Sequence, residues 1–497
     1  MTAYEQLGHK LAELQHLMAA NALMAWDQET HMPPAGAGQR ARAMATIQGL
    51  YHHQITTEIP AMLEAAESEL AYDSPETKKL NLLKLRQDVE RKSKLPVEHV
   101  KETSQAVSEA FHAWHQAKPA NDFAAFQPHL EKLLDLKIKE AEYFGYEENP
   151  YDALLEIYEP GLKASRVQAV FDGFKSELLG LLEAIRGKEQ VDESCILQTV
   201  GEDAQLAYGL QVVDKMGYSL QFGRQDLAPH PFSISMSPKD VRITTRVDEN
   251  DIREMLYSTI HEVGHALYEN GLPEEFIGWP EAEACSLGIH ESQSRLWENN
   301  VARSLEFCTH FHPAFSKLFP DQLAGKTPVD VFKAVNRVEP NLIRISSDEL
   351  TYHFHILLRF ELELALVNRE LKVKDLPEAW NAKIKDYLGL DVPSDAKGVL
   401  QDIHWSHGSF GYFPTYSLGS FYAAQFMAQA EKEIEGLKGG FAKGEYLPLK
   451  NWLNEKIHRH GKLYNSEELC EMVTGEPLNV NYFVQYAREK FGRVYGI

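Results

Sequence analysis

Apolar residues recur at spacings of three and four along most of this chain, the period of helices that lay one face against a core. In the first half the pattern runs through 1–26, 36–70, 76–95, 98–117, 122–145, 164–187 and 202–217. In the second half it returns through 280–306, 328–337, 347–371, 376–388, 415–436, 446–457, 466–474 and 479–491. No internal repeat, low-complexity tract or Gly/Ser linker divides the chain. The pattern predicts a mainly α protein: one large helical domain over residues 1–497, with room for two lobes.

One segment departs from that period. HPFSISMSPKDVRITTRV (230–247) alternates apolar and polar side chains, turns at Ser237-Pro238-Lys239-Asp240, and alternates again. That is a β-hairpin pattern. A lone hairpin is marginal in water and must pack on something, either as a structural flap or as an edge strand that receives an extended peptide.

The next helix runs from about Asp251 to Asn270, with Asp248 to Asp251 as cap candidates and Asn270-Gly271 before Pro273 as its stop. Ile252, Leu256, Ile260, Val263 and Leu267 form one stripe. His261 and His265 lie roughly opposite, one turn apart on the same face, so both imidazoles can reach one metal ion. Glu262 is rotated by about 100° and can lean over a water beside that ion. A zinc peptidase needs two neutral imidazoles, a third ligand and an open position. The ion activates water and polarises the scissile carbonyl, and a neighbouring carboxylate takes the proton. Histidines on a polar helix face are usually just solvated, and chance produces one HExxH in a chain of this composition on the order of a few per cent of the time. Context strengthens the motif. It sits on a helix, in phase, and Gly264 costs about 1 kcal/mol relative to Ala at mid-helix, a cost with a reason if another element approaches there.

The third ligand belongs to a helix starting near Pro280, whose acidic and imidazole groups are Glu281, Glu283, His290 and Glu291. Glu281 and Glu283 suit the first turn, where they serve the helix dipole. Glu291 shares a face with Ala284, Leu287 and Gly288 and would be buried without a partner unless something charged meets it. It is favoured over His290. Downstream, QDIHWSHGSFGYFPTY (401–416) gathers Gln401, Asp402, His404, His407, Tyr412 and Tyr416 in a loop broken by Gly and Pro. Such a loop is either a packed corner or part of a site, and Tyr412 or Tyr416 could donate to a tetrahedral oxyanion.

Composition narrows the class. The chain carries 50 Lys+Arg against 73 Asp+Glu, a net charge of −23, and no basic patch to neutralise phosphates, so no nucleic-acid partner is expected. Cys195, Cys285, Cys308 and Cys470 are far apart and form no CxxC pair, as in a reduced, cytoplasmic protein. No signal peptide is visible at the N-terminus. Nowhere do eighteen consecutive apolar residues occur, so no membrane span is expected.

HPF (230–232), DVRIT (240–244), HEVGH (261–265), HESQ (290–293) and QDIHW (401–405), in that order, together with WDQETHMPPAGAGQRARAMA (26–45), make the chain similar to the carboxypeptidase Taq family of metallocarboxypeptidases. The likeness covers essentially the whole chain. It implies a mostly helical fold with a deep groove, as in neurolysin and angiotensin-converting enzyme. It also implies release of single residues from peptide C-termini, poor release of proline, and a homodimer. It implies zinc on His261, His265 and Glu291, with Glu262 as base, and it associates His230 and His404 with the substrate groove. Co²⁺ or Mn²⁺ could replace zinc, since a His₂Glu site takes several divalent ions.

A carboxypeptidase must also grip a terminal carboxylate, which a guanidinium does better than an ammonium. Arg344, just before a helix expected to be capped by Ser346 or Ser347, is the first candidate, and Arg242 on the hairpin the second. The competing explanation for Arg344 is a surface pair with Asp348. Arg246 on the hairpin is a further candidate, whereas Arg295 and Arg359 have nearer explanations, Arg295 bracing Glu291 and Arg359 pairing with Glu361 or Glu363 on its own helix. Two rival readings of the chain remain: a neurolysin-like oligopeptidase, and a non-enzymatic helical binding protein whose histidine pair is merely solvated.

Overall fold

The computed structural model describes residues 1–197 and 199–497. Where the apolar period is long and unbroken, a helix forms close to the expected bounds. A capping box between Thr2 and Glu5 starts Ala3–Thr30, and one between Asn465 and Glu468 starts Ser466–Thr474. Among the described residues three further helices escape the periodicity: Pro150–Leu155, Leu305–Leu318 and Leu437–Phe441. Two are too short to show a period, and the other carries Pro313 inside, which reads as a breaker.

The helix expected over 280–306 is corrected. Pro280–Ala282 is a single 3-10 turn, and the backbone is extended at Glu283. The helix proper, Leu287–Arg295, begins at Ser286, whose hydroxyl accepts from the Ile289 N–H at 3.0 Å. Glu281 therefore serves no helix dipole; it is buried and accepts from Asn81 Nδ2 at 2.8 Å. From Leu296 to Ala302 the helix widens into π geometry, every residue of it buried.

The chain folds into two compact units, each built from three separated stretches. The first comprises Met1–Lys92, Asp192–Val335 and Tyr422–Leu478. In one of its cores Leu7, Leu11 and Leu14 of the first helix meet Ile55, Ile59, Leu63 and Trp279. Each such side chain contributes about 1.5–3 kcal/mol on burial. The second unit comprises Ser93–Val191, Asn336–Phe421 and Asn479–Ile497. There Phe171 packs edge-on to Phe360 at 5.2 Å, and Phe174 lies 5.0 Å from Phe421.

The hairpin is present in the first unit, as β2 (Ser233–Ser237) and β3 (Asp240–Thr245), with Ile234 opposite Arg242 and Ser235 opposite Val241. A third strand, β1 (Gln225–Leu227), pairs parallel to β3 on its other side. Val241 and Ile243 of β3 are fully buried. The hairpin packs against the helix Ile252–Asn270 and is tied to it twice. Thr259 Oγ1 lies 2.9 Å from Thr245 Oγ1, and Asn270 Nδ2 donates to the Pro238 carbonyl at 2.8 Å. No helix among the described residues is long and apolar enough to cross a membrane.

Candidate metal centre

The helix Ile252–Asn270 starts where Asp251 accepts from the Arg253 N–H and stops at Gly271. Its expected amphipathicity is muted. The sheet, the helix Glu202–Met216 and the helix Leu287–Arg295 all pack on it, so Glu262 is buried along with the apolar stripe. His261, His265 and Glu269 are among the partly exposed residues that remain. Gly264 has the reason its cost required. A Cβ there would lie 2.5 Å from Ser294 Cα and 2.7 Å from the Gln293 carbonyl oxygen. Only glycine admits the neighbouring helix so closely.

That approach brings Glu291 to the histidine pair. Its Oε2 lies 3.6 Å from His261 Nε2 and 3.5 Å from His265 Nε2, and the three ligand atoms fall within 4.8 Å of one another. An ion bonded at about 2.1 Å in tetrahedral geometry needs ligand atoms about 3.4 Å apart. Two imidazole nitrogens and one carboxylate oxygen at these separations fit a divalent cation.

Other groups orient these three. Arg295 Nε donates to Glu291 Oε1 at 2.7 Å, and its Nη1 to Glu298 Oε2 at 3.2 Å. Glu298, on the π segment, accepts from His261 Nδ1 at 2.9 Å. His265 Nδ1 lies 2.5 Å from His290 Nδ1, and His290 Nε2 lies 2.9 Å from Glu269 Oε1. His290, the alternative to Glu291 as third ligand, thus stands behind His265. Burial alone would raise the pKa of Glu291, but Arg295 and His261 hold it well below the usual carboxylate range. Glu298 is held down to about 2 against burial, by Arg295 and the His261 hydrogen bond. Burial pushes His265 down to about 3, with His290 adding. Glu262 goes the other way. Burial raises it to about 7, with Glu291 adding and His261 and a hydrogen bond from Ser233 of β2 opposing.

The second unit holds the other predicted residues. Arg344 is buried, and its partner is Asp402, not Asp348. Nε donates to both Asp402 oxygens at 3.1 Å, Nη2 to Oδ1 at 2.8 Å, and Nη1 to the Tyr352 hydroxyl at 3.0 Å. The adjoining helix starts at Tyr352, later than expected, so Arg344 is not at its N-terminus. Asp348 instead holds the intervening turn by accepting from the Leu350 and Thr351 N–H groups at 2.9 Å. Beside Arg344, Tyr416 lies 5.2 Å from its guanidinium and brings its hydroxyl 3.4 Å from His404 Nε2. Tyr412 packs against Tyr416 with ring centroids 5.2 Å apart. Much of 401–416 is a packed corner. Buried Glu363 accepts from Trp405 Nε1 and the Gly411 N–H, both at 3.0 Å, and from Arg359 at 2.9 Å.

Back in the first unit, Arg242 forms a two-point pair with Asp240 and lies 4.5 Å from the Trp26 ring. His230 is exposed in the loop before β2. Sequence reasoning missed Glu298 and the roles of His290 and Glu269. The signal for Glu298 was a carboxylate directly after Trp297, in the polar stretch Glu298-Asn299-Asn300 flanked by Leu296-Trp297 and Val301-Ala302.

The chain matches the carboxypeptidase Taq (M32) metallopeptidase family over residues 6–491. Thermostable carboxypeptidase 1 of Thermus thermophilus is 43% identical over 99% of each chain. Carboxypeptidase 1 of Bacillus subtilis is 36% identical, covering 98% of this chain and 97% of its own. Among solved structures, an M32 carboxypeptidase from Deinococcus radiodurans superposes with a TM-score of 0.97 at 40% identity, all of both chains covered. With a family match along nearly its whole length and the histidine–glutamate cluster at its centre, the chain belongs to the carboxypeptidase Taq (M32) family of metallopeptidases and is a metallocarboxypeptidase.

Proposed function

We propose that the protein is a zinc enzyme that removes single residues from the C-termini of peptides, with broad specificity and poor release of proline. The observation that carries this is the cluster of His261, His265 and Glu291 with the buried carboxylate of Glu262 beside it, in an M32 chain. These three ligands would hold the ion, which when bound supplies Lewis-acid activation of water and of the scissile carbonyl. Glu262 accepts the proton from the attacking water at its carboxylate and returns it to the departing amine. Burial raises its pKa, the direction that suits a base which must later give the proton up. Ser233 on β2 holds that carboxylate and places the strand alongside the base, which supports β2 as a peptide-binding edge.

Arg344 is the proposed grip for the terminal carboxylate. Asp402 takes Nε and one Nη2 hydrogen and Tyr352 one Nη1 hydrogen, so a substrate carboxylate would meet the remaining Nη1 and Nη2 hydrogens. Arg242 is the alternative, with one edge on Asp240. His230 and His404 are assigned to substrate contact, and Tyr412 or Tyr416 to the oxyanion; normal turnover of both Phe variants would remove the tyrosines. A homodimer in the cytoplasm completes the proposal, and sedimentation velocity tests the dimer.

The decisive experiment treats the metal-loaded protein with a mixed peptide set, free and C-terminally amidated, and reads products by mass. Ladders that shorten one residue at a time, stall before proline and spare the amides are expected. Internal cuts, dipeptide release or equal attack on amides would mark a neurolysin-type oligopeptidase instead, and a preparation that takes up no metal would end the zinc reading.

A further inference from the structure

Resting on the proposed metal site, we infer that His290 and Glu269 form a positioning relay that sets the tautomer of His265, so that its Nε2 lone pair faces the ion. The two helices bring the three groups into line. His265 Nδ1 is 2.5 Å from His290 Nδ1, and His290 Nε2 is 2.9 Å from Glu269 Oε1. At the far side of the ring, His265 Nε2 is 3.5 Å from Glu291 Oε2.

Proton counting leaves one neutral arrangement. The Glu269 carboxylate has only acceptor atoms, so His290 Nε2 carries a hydrogen and donates it. A neutral His290 then has a bare Nδ1, which must accept. His265 Nδ1 must therefore carry the hydrogen between the two rings. Nε2 of His265 is left as a lone pair, the form that ligates a metal. With the other His265 tautomer, two lone pairs would face each other at 2.5 Å. Glu269 thus dictates the chemistry of a ring it does not touch, through one intervening imidazole.

His261 reaches the same tautomer by a shorter route, donating from Nδ1 straight to Glu298 at 2.9 Å. The two ligands therefore differ in their support. One has an ionised carboxylate behind it, buried and paired with Arg295. The other has an imidazole ring, with the carboxylate one step further back and partly exposed. Outer groups of this kind orient the ring and raise the basicity of its ligating nitrogen.

Zinc affinity, measured by competition with a chelator, provides the test, together with long-range ¹H–¹⁵N spectra of the zinc-loaded protein labelled at histidine. His290→Leu removes the acceptor and should weaken zinc binding by about 10–100-fold. His290→Asn keeps an acceptor oxygen near the Nδ1 position and should stay within a few-fold of wild type. In the wild-type spectrum His290 should carry its hydrogen on Nε2 alone. If wild type binds zinc while His290→Leu binds it equally well, or if His290 carries its hydrogen on Nδ1, the relay is overturned and the metal site stands. If wild type takes up no zinc, the underlying site is overturned and the relay with it. Should His290→Leu fail to fold, the His290 tautomer in the wild-type protein decides alone.

Discussion

His261 Nδ1 and Glu298 Oε2 lie 2.9 Å apart, joining the HExxH helix to the π segment that follows Leu287–Arg295. Glu298 is held there by Arg295 at 3.2 Å and Arg303 at 3.5 Å. Glu298→Ala should therefore weaken zinc binding by about 10–100-fold, the usual cost of losing an outer partner. Chelator competition measures it, and an unchanged dissociation constant would show that His261 needs no such support.

Glu262 makes the opposite prediction. It is adjacent to both the cluster and Ser233 but is not in the ligand set. Glu262→Gln should keep a full equivalent of metal and lose about 10²–10⁴-fold in kcat. Near-normal turnover in the metal-loaded variant would exclude it as the base.

Arg344 must be tested without stranding its partner. Truncating it would leave Asp402 charged and buried, a loss of about 3–5 kcal/mol that would confuse any kinetic result. Arg344→Lys keeps the charge and loses the fork. Wild type should prefer a free-acid peptide over its amide, and the variant should lose that preference through a higher KM for the acid. An unchanged acid-to-amide ratio would move the role to Arg242.

Gly264→Ala forces a methyl group onto the backbone of Ser294 and Gln293. Because backbone cannot swing aside as a long side chain does, the helices must part, at a cost of about 1–3 kcal/mol or more. The thermal midpoint should fall by several degrees and metal uptake should weaken, since Glu291 lies on the displaced helix. A variant with wild-type midpoint and affinity would show that the contact relaxes freely.

Acid should destabilise the fold through buried neutral histidines. Burial depresses His355 to about 4 and His458 to about 3, against an ordinary value near 6.5. Between those limits the unfolded chain binds a proton that the folded chain refuses. The stability these groups allow is thus complete above about pH 6.5 and declines as pH falls towards about 4 and 3, by about 1.4 kcal/mol per pH unit each. His355→Gln and His458→Gln should each flatten the fall in thermal midpoint between pH 6.5 and 5. Unaltered slopes would assign the acid response to other groups.

What could be read from the chain beforehand followed the range of each interaction. The pair His261 and His265 was legible because helical spacing alone places both on one face. Gly264 could be flagged as costly, but only the packed structure shows Ser294 behind it. Glu298 serves His261 through a π segment that no four-residue period announces. For Arg344 the only partner in view was nearby Asp348, yet Asp402 takes it, a partner separated by most of a helix–loop–helix stretch. Strand β1 is too short to alternate. Local periodicity encodes elements, whereas cross-element partners depend on how those elements pack.

The division of each unit into three separated stretches bears on synthesis at the ribosome. Residues Tyr422–Leu478 belong to the unit that carries the metal cluster, and Asn479–Ile497 belong to the other. A nascent chain therefore lacks part of the metal-bearing unit until Leu478 has emerged, and part of the other until Asn479–Ile497 follow, so both stay unfinished through most of synthesis, unlike domains that follow one another along a chain. Early helices such as Ala3–Thr30 must wait with apolar faces only partly covered. A premature stop near residue 420 would thus cost the chain both units together, leaving no fragment with an intact half.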